Sequence, residues 1–248
     1  MLGIIGGTGL AQLSNLDVTR RQVVRTPYGD PSSALTFGRI AGHEVVFLAR
    51  HGYGHTIPPH MVNYRANIWA LDAQGVQNVV SVASVGGIRA DLGPGAIAVP
   101  DQIIDYTCNR KHTFHEGQDR AVIHIDFTRP YCDRLRGRIL TAAKVASQPM
   151  VDGGVYAATP GPRLETAAEI DRLERDGADM VGMTGMPEAA LAREIGQCYA
   201  AIAVVANHAA GRGQSRDGIR MEDINATLQR ALTQVRSIIE KLADADGG

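Results

Sequence analysis

The stretch Leu2-Gly-Ile-Ile-Gly-Gly-Thr-Gly9 places a short apolar run directly before a cluster of glycines. The apolar run predicts a buried strand. Glycines in the following turn let backbone N–H groups approach a ligand, and Thr8 adds a hydroxyl donor. Taken alone, the segment fits a tight structural turn, a dinucleotide loop or a simple phosphate loop. The dinucleotide interpretation is weak because the G-x-G-x-x-G spacing is not met.

Apolar runs and helical stretches alternate along the rest of the chain. We expect strands over Leu2–Ile5, Glu44–Ala49, Asn78–Val85, Ala96–Ile104, Gly154–Ala158, Met180–Gly182 and Tyr199–Ala206. We expect helices over Val62–Gln74, Arg134–Ala146, Glu165–Asp176 and Pro187–Glu194, and an amphipathic last helix from Ile224 to Leu242. The loop-like stretch Gly211–Gly218 precedes that helix and could form a mobile flap. The alternation predicts one α/β domain over residues 1–248 with a largely parallel or mixed sheet.

Composition excludes several classes of function. The formal net charge of -1 gives no basic field for nucleic acid. No run of about 18 apolar residues could span a bilayer, and no signal peptide is expected. Cys108, Cys132 and Cys198 lack CxxC spacing, which fits a reducing compartment and argues against a disulfide framework or a zinc site. We therefore expect a cytoplasmic globular protein.

Polar groups follow several of the expected strands. Arg50 and His51 come directly after one strand, Ser84-Val-Gly-Gly87 ends another, and Thr184 follows a third. Each feature alone has an ordinary explanation, such as a surface pair or a turn. Ligands of open α/β sheets gather at strand ends, however, and these groups suit a phosphate. Together with Thr8, they predict one shared anion site.

Five ordered segments carry a resemblance to a known family. They are Gly3-Ile-Ile-Gly-Gly-Thr-Gly-Leu10, Leu48-Ala-Arg-His-Gly52 with His55-Thr56, Val62-Asn-Tyr-Arg-Ala-Asn-Ile-Trp-Ala70, Gly161-Pro-Arg163, and Gly177-Ala-Asp-Met-Val-Gly-Met-Thr184 with Met186-Pro-Glu188. These segments resemble the trimeric purine nucleoside phosphorylase family, in particular its methylthioadenosine phosphorylase branch. The resemblance covers almost the whole chain and ends near the last helix.

The resemblance implies a fold, an assembly and a reaction. The fold would be one α/β domain whose central mixed sheet curls towards a barrel and is flanked by helices. The assembly would be a homotrimer or a dimer of trimers. Inorganic phosphate would be the co-substrate, with no cofactor or metal, and would attack the anomeric carbon through a ribooxocarbenium-like transition state. A dianion held against a developing cation supplies electrostatic stabilisation, and the purine must leave with a proton at N7.

The resemblance also assigns site residues by motif match. Phosphate would contact Gly7, Thr8, Arg50, His51, Ser84 and Thr184. Met183 would pack under the ribose, and the base would lie near Val85, Gly86 and Leu164.

The chain differs from the methylthioadenosine branch at the residues expected to hydrogen-bond the purine base. That branch carries Thr-Asp-x-Asp after the late strand, whereas this chain has Ala206-Asn-His-Ala209, and Leu164-Glu165 replaces a small hydroxyl residue after Gly-Pro-Arg. The combination of a Glu at 165 and an Asn at 207 resembles the pair found in 6-oxopurine phosphorylases. Glu165 can accept from N1–H, and Asn207 can donate to O6 and accept from protonated N7. Glu165 and Asn207 are thus the predicted catalytic pair. Alternatively, Asn207 could cap a turn, and Glu165 could be a carboxylate at a helix N-terminus, where the helix dipole favours negative charge.

Around the predicted 5′ end of the substrate, the chain matches the methylthioadenosine branch. His124 in Val122-Ile-His-Ile125 matches a histidine near the 5′ group, and Met221 and Ile224 match apolar residues around the methylthio group. Methionine readily accommodates a thioether, although such a pair on a helix is usually core. The combined prediction is phosphorolysis of 5′-methylthioinosine to hypoxanthine and 5-methylthioribose 1-phosphate.

Other functions are weighed against this prediction. The alternatives are a methylthioadenosine phosphorylase, a general 6-oxopurine nucleoside phosphorylase, and a nucleotide-binding sensor on the same fold. An oxidoreductase is disfavoured because no Tyr-x-x-x-Lys pair is present.

Overall fold

The computed structural model describes residues 1–10, 13–116 and 121–245, which form one sheet flanked by helices. The strands are β1 (Leu2–Gly6), β2 (Asp17–Gln22), β3 (Leu35–Ile40), β4 (His43–Ala49), β5 (Asn78–Gly87), β6 (Ile97–Val99), β7 (Gln102–Asp105), β8 (Val151–Asp152), β9 (Val155–Ala158), β10 (Met180–Gly182) and β11 (Cys198–His208). The helices are α1 (Tyr64–Asp72), α2 (Asp133–Val145), α3 (Ala167–Arg175), α4 (Gly185–Glu194) and α5 (Met221–Asp244), with short 3-10 turns at Pro59–Met61 and Gly213–Ser215.

The sheet is mixed and is organised around the long strand β5. Strand β5 pairs in parallel with β1 and with β11, and β1 pairs in parallel with β4. Strand β10 pairs antiparallel to the last residues of β5. The pairings in the described ranges leave the sheet open, with β2, β7 and β8 as its ends. The predicted α/β fold with a mixed sheet is confirmed.

Helices cover both faces of this sheet because its strands are apolar on both sides. Along β1, Ile4 packs in a core cluster with α2 and α5, whereas Ile5 packs in a second cluster with α1 and α4. The apolar positions of α5, including Leu228, Val235 and Ile239, are buried against the first face. The predicted amphipathic last helix is therefore confirmed.

Two predictions about strands were incomplete. The run Ala96–Ile104 is two strands, β6 and β7, which pair with different neighbours. Pro100 lies between them and has no N–H to continue a ladder. Strands β2, β3 and β8 were not predicted. Every residue of β2 is exposed, so this edge strand lacks the apolar alternation that marks a strand.

The prediction of three free thiols is wrong for two of them. Cys132 and Cys198 form a disulfide across 66 residues of sequence, and Cys108 is free and exposed. The fold brings the pair together because Cys132 precedes α2 while Cys198 begins β11, and the Cys132 N–H donates to Tyr199 O at 2.8 Å. Within the described ranges, no helix has the length and apolar character needed to cross a membrane.

Candidate active site

A cleft of about 510 Å³ lies at the ends of β1, β4, β5, β10 and β11. This volume is typical of a site for a small organic ligand. The structure places around it Gly7, Thr8, Arg50, His51, Ser84, Val85, Gly86, Leu164, Glu165, Met183, Thr184, Asn207, Met221 and Ile224. The residues that the sequence assigns to phosphate, ribose, base and 5′ group thus share one cleft, and their individual roles stay predictions.

His124 is the exception among the predicted site residues. It is exposed and is not part of the cleft lining in its own chain. The described residues around it, from 121 to 132, form neither helix nor strand, and the neighbouring Val122 and Ile123 are 78% and 50% exposed. The structure of one chain therefore does not bring His124 to the predicted 5′ position.

The loop after β1 packs closely against β5. A Cβ atom added at Gly7 would lie 2.6 Å from Val82 O and 2.9 Å from Arg50 Nη1. Any side chain there would push the loop away from the strand, so glycine is required by close approach rather than by backbone conformation. The backbone of Gly7 and the hydroxyl of Thr8 are thereby held at the cleft wall.

Arg50 is fully buried and firmly anchored. Its Nε and Nη2 donate to the Glu188 carboxylate at 2.8 and 2.9 Å, and further bonds reach Ser81 Oγ at 2.6 Å and Val82 O at 3.0 Å. Four of its five N–H groups are used, which leaves one on Nη1. Burial alone would lower the pKa of Arg50, but charge attraction and hydrogen bonding to Glu188, with smaller contributions from Tyr199 and Tyr64, together raise the pKa. The predicted phosphate contact of Arg50 is therefore limited to one N–H from a fixed guanidinium.

His51 offers an acceptor rather than a second positive charge. Its Nδ1 lies 2.8 Å from Ile57 O, and because a carbonyl only accepts, Nδ1 carries the proton. Burial and the charge of Arg50 lower the pKa of His51 to about 4. The ring is thus neutral near pH 7, and its Nε2 can accept from a hydroxyl of phosphate or ribose. The predicted contact of His51 with a phosphate dianion would therefore use Nε2 as the acceptor for the one hydroxyl of that dianion.

This lowered pKa predicts a loss of stability in acid. The unfolded chain binds a proton at His51 below pH about 6.5, whereas the folded chain does so only near pH 4. Stability from the neutral ring is therefore complete above pH about 6.5 and is lost as the pH falls towards 4, by about 2–3 kcal/mol. We expect His51→Gln to remove this part of the pH dependence, measured by urea unfolding between pH 7 and pH 4. His60→Gln, at an exposed histidine, is the control. An identical pH slope in His51→Gln would contradict the assignment.

The ribose side combines Met183 with a glycine from the neighbouring loop. Gly161 has φ of 62°, and a Cβ atom at this position would collide with the Met183 sulfur. Glycine is thus required both by its left-handed backbone and by the contact with Met183. The loop between β9 and α3 therefore packs directly on the residue predicted to lie under the ribose.

The predicted base-reading pair is held by local hydrogen bonds. Thr159 Oγ1 donates to Glu165 Oε1 at 2.8 Å, and Asn207 Nδ2 donates to His208 O at 2.6 Å. The β11 ladder shifts register between Val205 and Asn207, as in a β-bulge, and such bulges re-aim side chains. Glu165 Oε2, the Asn207 amide oxygen and one Asn207 N–H are not used in these bonds.

The 5′ side is apolar and opens to the surface. Ile224 is buried at 8% exposure, whereas Met221, one turn earlier on α5, is 60% exposed at the cleft. The preceding loop, predicted as a possible flap, is tied to α3, because Arg212 Nη2 lies 2.7 Å from Asp171 Oδ1 and 2.8 Å from Glu174 Oε2.

Sequence reasoning missed two residues near the cleft. Glu188 belongs to one of the five matched segments but had no predicted role, although it holds Arg50. Arg110 had none either, although it is 8% exposed and donates to backbone carbonyls of both cleft loops. Buried charge partners are not marked by local spacing. The residues described here contain no cluster of three or more His, Cys, Asp or Glu suited to a metal ion.

The fold and cleft define an α/β protein with a cleft of ligand size at its strand ends. The model of the phosphorylase superfamily matches residues 1–244. The chain therefore belongs to the phosphorylase superfamily.

Similar proteins include enzymes with three different named specificities. A probable S-methyl-5′-thioinosine phosphorylase of Xanthomonas campestris pv. campestris is 50% identical over 98% of this chain and 96% of its own. The 6-oxopurine nucleoside phosphorylase of Pyrococcus furiosus is 46% identical over 85% of this chain and 80% of its own. The methylthioadenosine phosphorylase of Schistosoma mansoni, solved with adenine, has a TM-score of 0.94 and 32% identity over 99% of this chain and 91% of its own.

Proposed function

We propose that this protein cleaves the N-glycosidic bond of 5′-methylthioinosine with inorganic phosphate, giving hypoxanthine and 5-methylthioribose 1-phosphate. The observation that carries the proposal is that one cleft contains residues for every part of the substrates. Glu165 and Asn207, predicted to bind the base, line it together with Thr184, predicted to bind phosphate. Met221 and Ile224, predicted to surround the 5′ group, line it as well. The name of the Xanthomonas relative agrees with this substrate.

The cleft supports a mechanism based on positioning and electrostatics. Thr8, Ser84, Thr184 and the free Arg50 N–H would hold phosphate against the anomeric carbon. Glu165 would accept N1–H, and Asn207 would stabilise the leaving purine by accepting from N7–H and donating to O6. N7 would take up its proton from water as the bond from N9 to the anomeric carbon breaks, and the phosphate would release one proton as its oxygen bonds to that carbon. As the glycosidic bond breaks, positive charge on the ribose would be stabilised by the adjacent phosphate. Phosphate is the only co-substrate proposed, with no metal or organic cofactor.

The second candidate is a 6-oxopurine nucleoside phosphorylase that prefers a 5′-hydroxyl. The Pyrococcus relative, at 46% identity, favours this possibility. The three apolar side chains of Ile219, Met221 and Ile224 favour a methylthio group over a hydroxyl, because they can pack on a thioether and cannot hydrogen-bond a hydroxyl. Methylthioadenosine is disfavoured because its N1 would face the Glu165 carboxylate, acceptor against acceptor.

We expect Met221→Gln to weaken the preference for a 5′-methylthio group. The thioether would lose apolar contact worth about 1 kcal/mol, so the ratio of kcat/KM for methylthioinosine to that for inosine should fall roughly 5–10-fold. The measurement is phosphate-dependent release of hypoxanthine from both nucleosides. Met61→Gln is a matched control, because Met61 is similarly exposed, at 66%, and is outside the cleft lining. Equal use of inosine and methylthioinosine by the unmodified enzyme would refute the proposed 5′ specificity.

We also propose an assembly and a location. A homotrimer, or a dimer of such trimers, would let His124 of one copy reach the cleft of a neighbour, which agrees with its exposed apolar flanks Val122 and Ile123. The cytoplasm is the proposed location because the substrates are a purine nucleoside and free phosphate. Neither nucleic acid nor membrane is a proposed partner.

A further inference from the structure

Arg110 is a buried cation that bonds mainly to backbone carbonyls. Its Nη1 donates to Met183 O at 2.8 Å and to Met186 O at 2.5 Å, and its Nη2 donates to Pro160 O at 2.9 Å and to Thr159 O at 3.3 Å. The side chain is 8% exposed. Among the described residues no carboxylate forms an ion pair with it, so within these ranges the backbone carbonyls are its main partners.

These carbonyls belong to two loops that both contribute residues to the cleft lining. Thr159 and Pro160 begin the loop that continues through Gly161 to Glu165. Met183 and Met186 flank Thr184 at the start of α4. The guanidinium also lies 3.2 Å from Tyr64 Oη and over the Tyr64 ring, with 5.2 Å from its Cζ to the ring centroid. One planar group therefore connects the base loop, the ribose loop and helix α1.

We propose that Arg110 is a positioning residue that sets the distance between the base-reading loop and the ribose-binding loop. The inference rests on the proposed function, because it assigns Arg110 to the geometry of that reaction. Arg110 is not part of the cleft lining and has no proposed contact with substrate. It acts through Met183 and through the segment that leads to Glu165.

The planar fork is the property that makes this bridge possible. A guanidinium donates in fixed directions from two nitrogens, so it can bond two loops at once. Lysine keeps the charge, but its single ammonium cannot reproduce both sets of bonds. A shift of about 1 Å between reacting groups can cost roughly 100-fold in rate. The contact of Gly161 with Met183 would transmit such a shift directly from one loop to the other.

The bridge should affect the nucleoside more than phosphate. Arg110 bonds to the loops assigned to base and ribose, and Thr184 is the one proposed phosphate ligand that lies on them. The other proposed ligands, Thr8, Arg50 and Ser84, lie on β1, β4 and β5 or directly after them. We therefore expect Arg110→Lys to lower kcat/KM for methylthioinosine by about 10–100-fold, while the KM for phosphate rises by at most about fivefold, as for one weakened hydrogen bond. General destabilisation would instead lower kcat in proportion to the folded fraction and leave both KM values unchanged.

The test measures both KM values and kcat for wild type, Arg110→Lys and Arg110→Ala, with the folded fraction followed by circular dichroism. Arg65→Lys and Arg65→Ala are the controls, because Arg65 also donates to a carbonyl, Thr113 O at 3.3 Å, and lies 5.1 Å from the Tyr28 ring centroid, outside the cleft lining. Added guanidinium should restore part of the rate of Arg110→Ala, and not that of Arg65→Ala.

Three results would overturn the inference. They are full nucleoside kcat/KM in folded Arg110→Lys, a parallel rise of both KM values, and a kcat loss that only follows unfolding without rescue by guanidinium. Wild-type protein that releases no base from any purine nucleoside would refute the proposed function and, with it, the inference. An active wild type together with any of the three results would refute the inference alone.

Discussion

Changing Glu165→Gln and Asn207→Asp together is expected to reverse the base preference. The carboxylate introduced at position 207 could no longer donate to O6 but could accept from an exocyclic amine. The amide introduced at position 165 could donate to the bare N1 of adenine while its oxygen still accepts from Thr159. Each mispaired buried group costs about 1–3 kcal/mol. The ratio of kcat/KM for methylthioadenosine to that for methylthioinosine should therefore rise by about 10²–10⁴, measured with both nucleosides at saturating phosphate.

The controls for this reversal separate hydrogen bonding from added charge. Asn225→Asp places the same new carboxylate on an exposed part of α5 and should leave the ratio unchanged. Asn207→Asp alone should give an intermediate ratio, because Glu165 would still face N1 of adenine. A ratio that moves by less than about tenfold in the double variant would mean that this pair does not read the edge of the purine.

Glu188→Gln is expected to cause the largest loss of stability among the changes considered. Both Glu188 and Arg50 have fully buried side chains, with 2.8 Å between Arg50 Nε and Glu188 Oε2. Removing one charge leaves the other buried without compensation, which costs about 3–5 kcal/mol. The free energy of unfolding should be measured by urea denaturation at one fixed protein concentration, since assembly would contribute to it.

A second ion pair with the same N–O distance but an exposed carboxylate tests whether burial causes this loss of stability. Arg65 Nη1 lies the same 2.8 Å from Glu116 Oε2, but the Glu116 side chain is 39% exposed, so Glu116→Gln should cost less than about 1 kcal/mol. The double change Arg50→Met with Glu188→Leu should recover most of the stability, because an apolar pair can replace a buried ion pair. Equal losses for Glu188→Gln and Glu116→Gln would contradict the argument.

The sequence was most informative where burial is continuous. Runs such as Asn78–Val85 and the three- and four-residue spacing in α5 are local patterns, and the structure contains both elements. The edge strand β2 was missed because all its residues are exposed, so its pairing with β3 is what defines it. The split of Ala96–Ile104 could have been predicted from Pro100, which interrupts the apolar run.

The candidate site was predicted where polar residues follow strands. Parallel strands bring their ends to one edge, so the order of strands and polar residues along the chain is enough to place Thr8, Arg50 and Ser84 together. Partners from distant segments could not be paired in this way. Glu188 is 138 residues from Arg50, and Arg110 is 73 residues from Met183. The disulfide partners are also far apart in sequence, and no local pattern marks any of these pairs.

The register shift in β11 has an evolutionary consequence. Successive residues of a strand face opposite sides of a sheet, and a bulge absorbs one additional residue so that the pairing beyond it is kept. Val205 aligns with Val85 and Asn207 with Gly86, which leaves Ala206 as the additional residue. A lineage that lost Ala206 would keep both of these pairs, and therefore the same faces, but would lose the local bend and added twist of the bulge. Loss of one codon would thus change the direction of the Asn207 side chain while the core on either side stays unaltered.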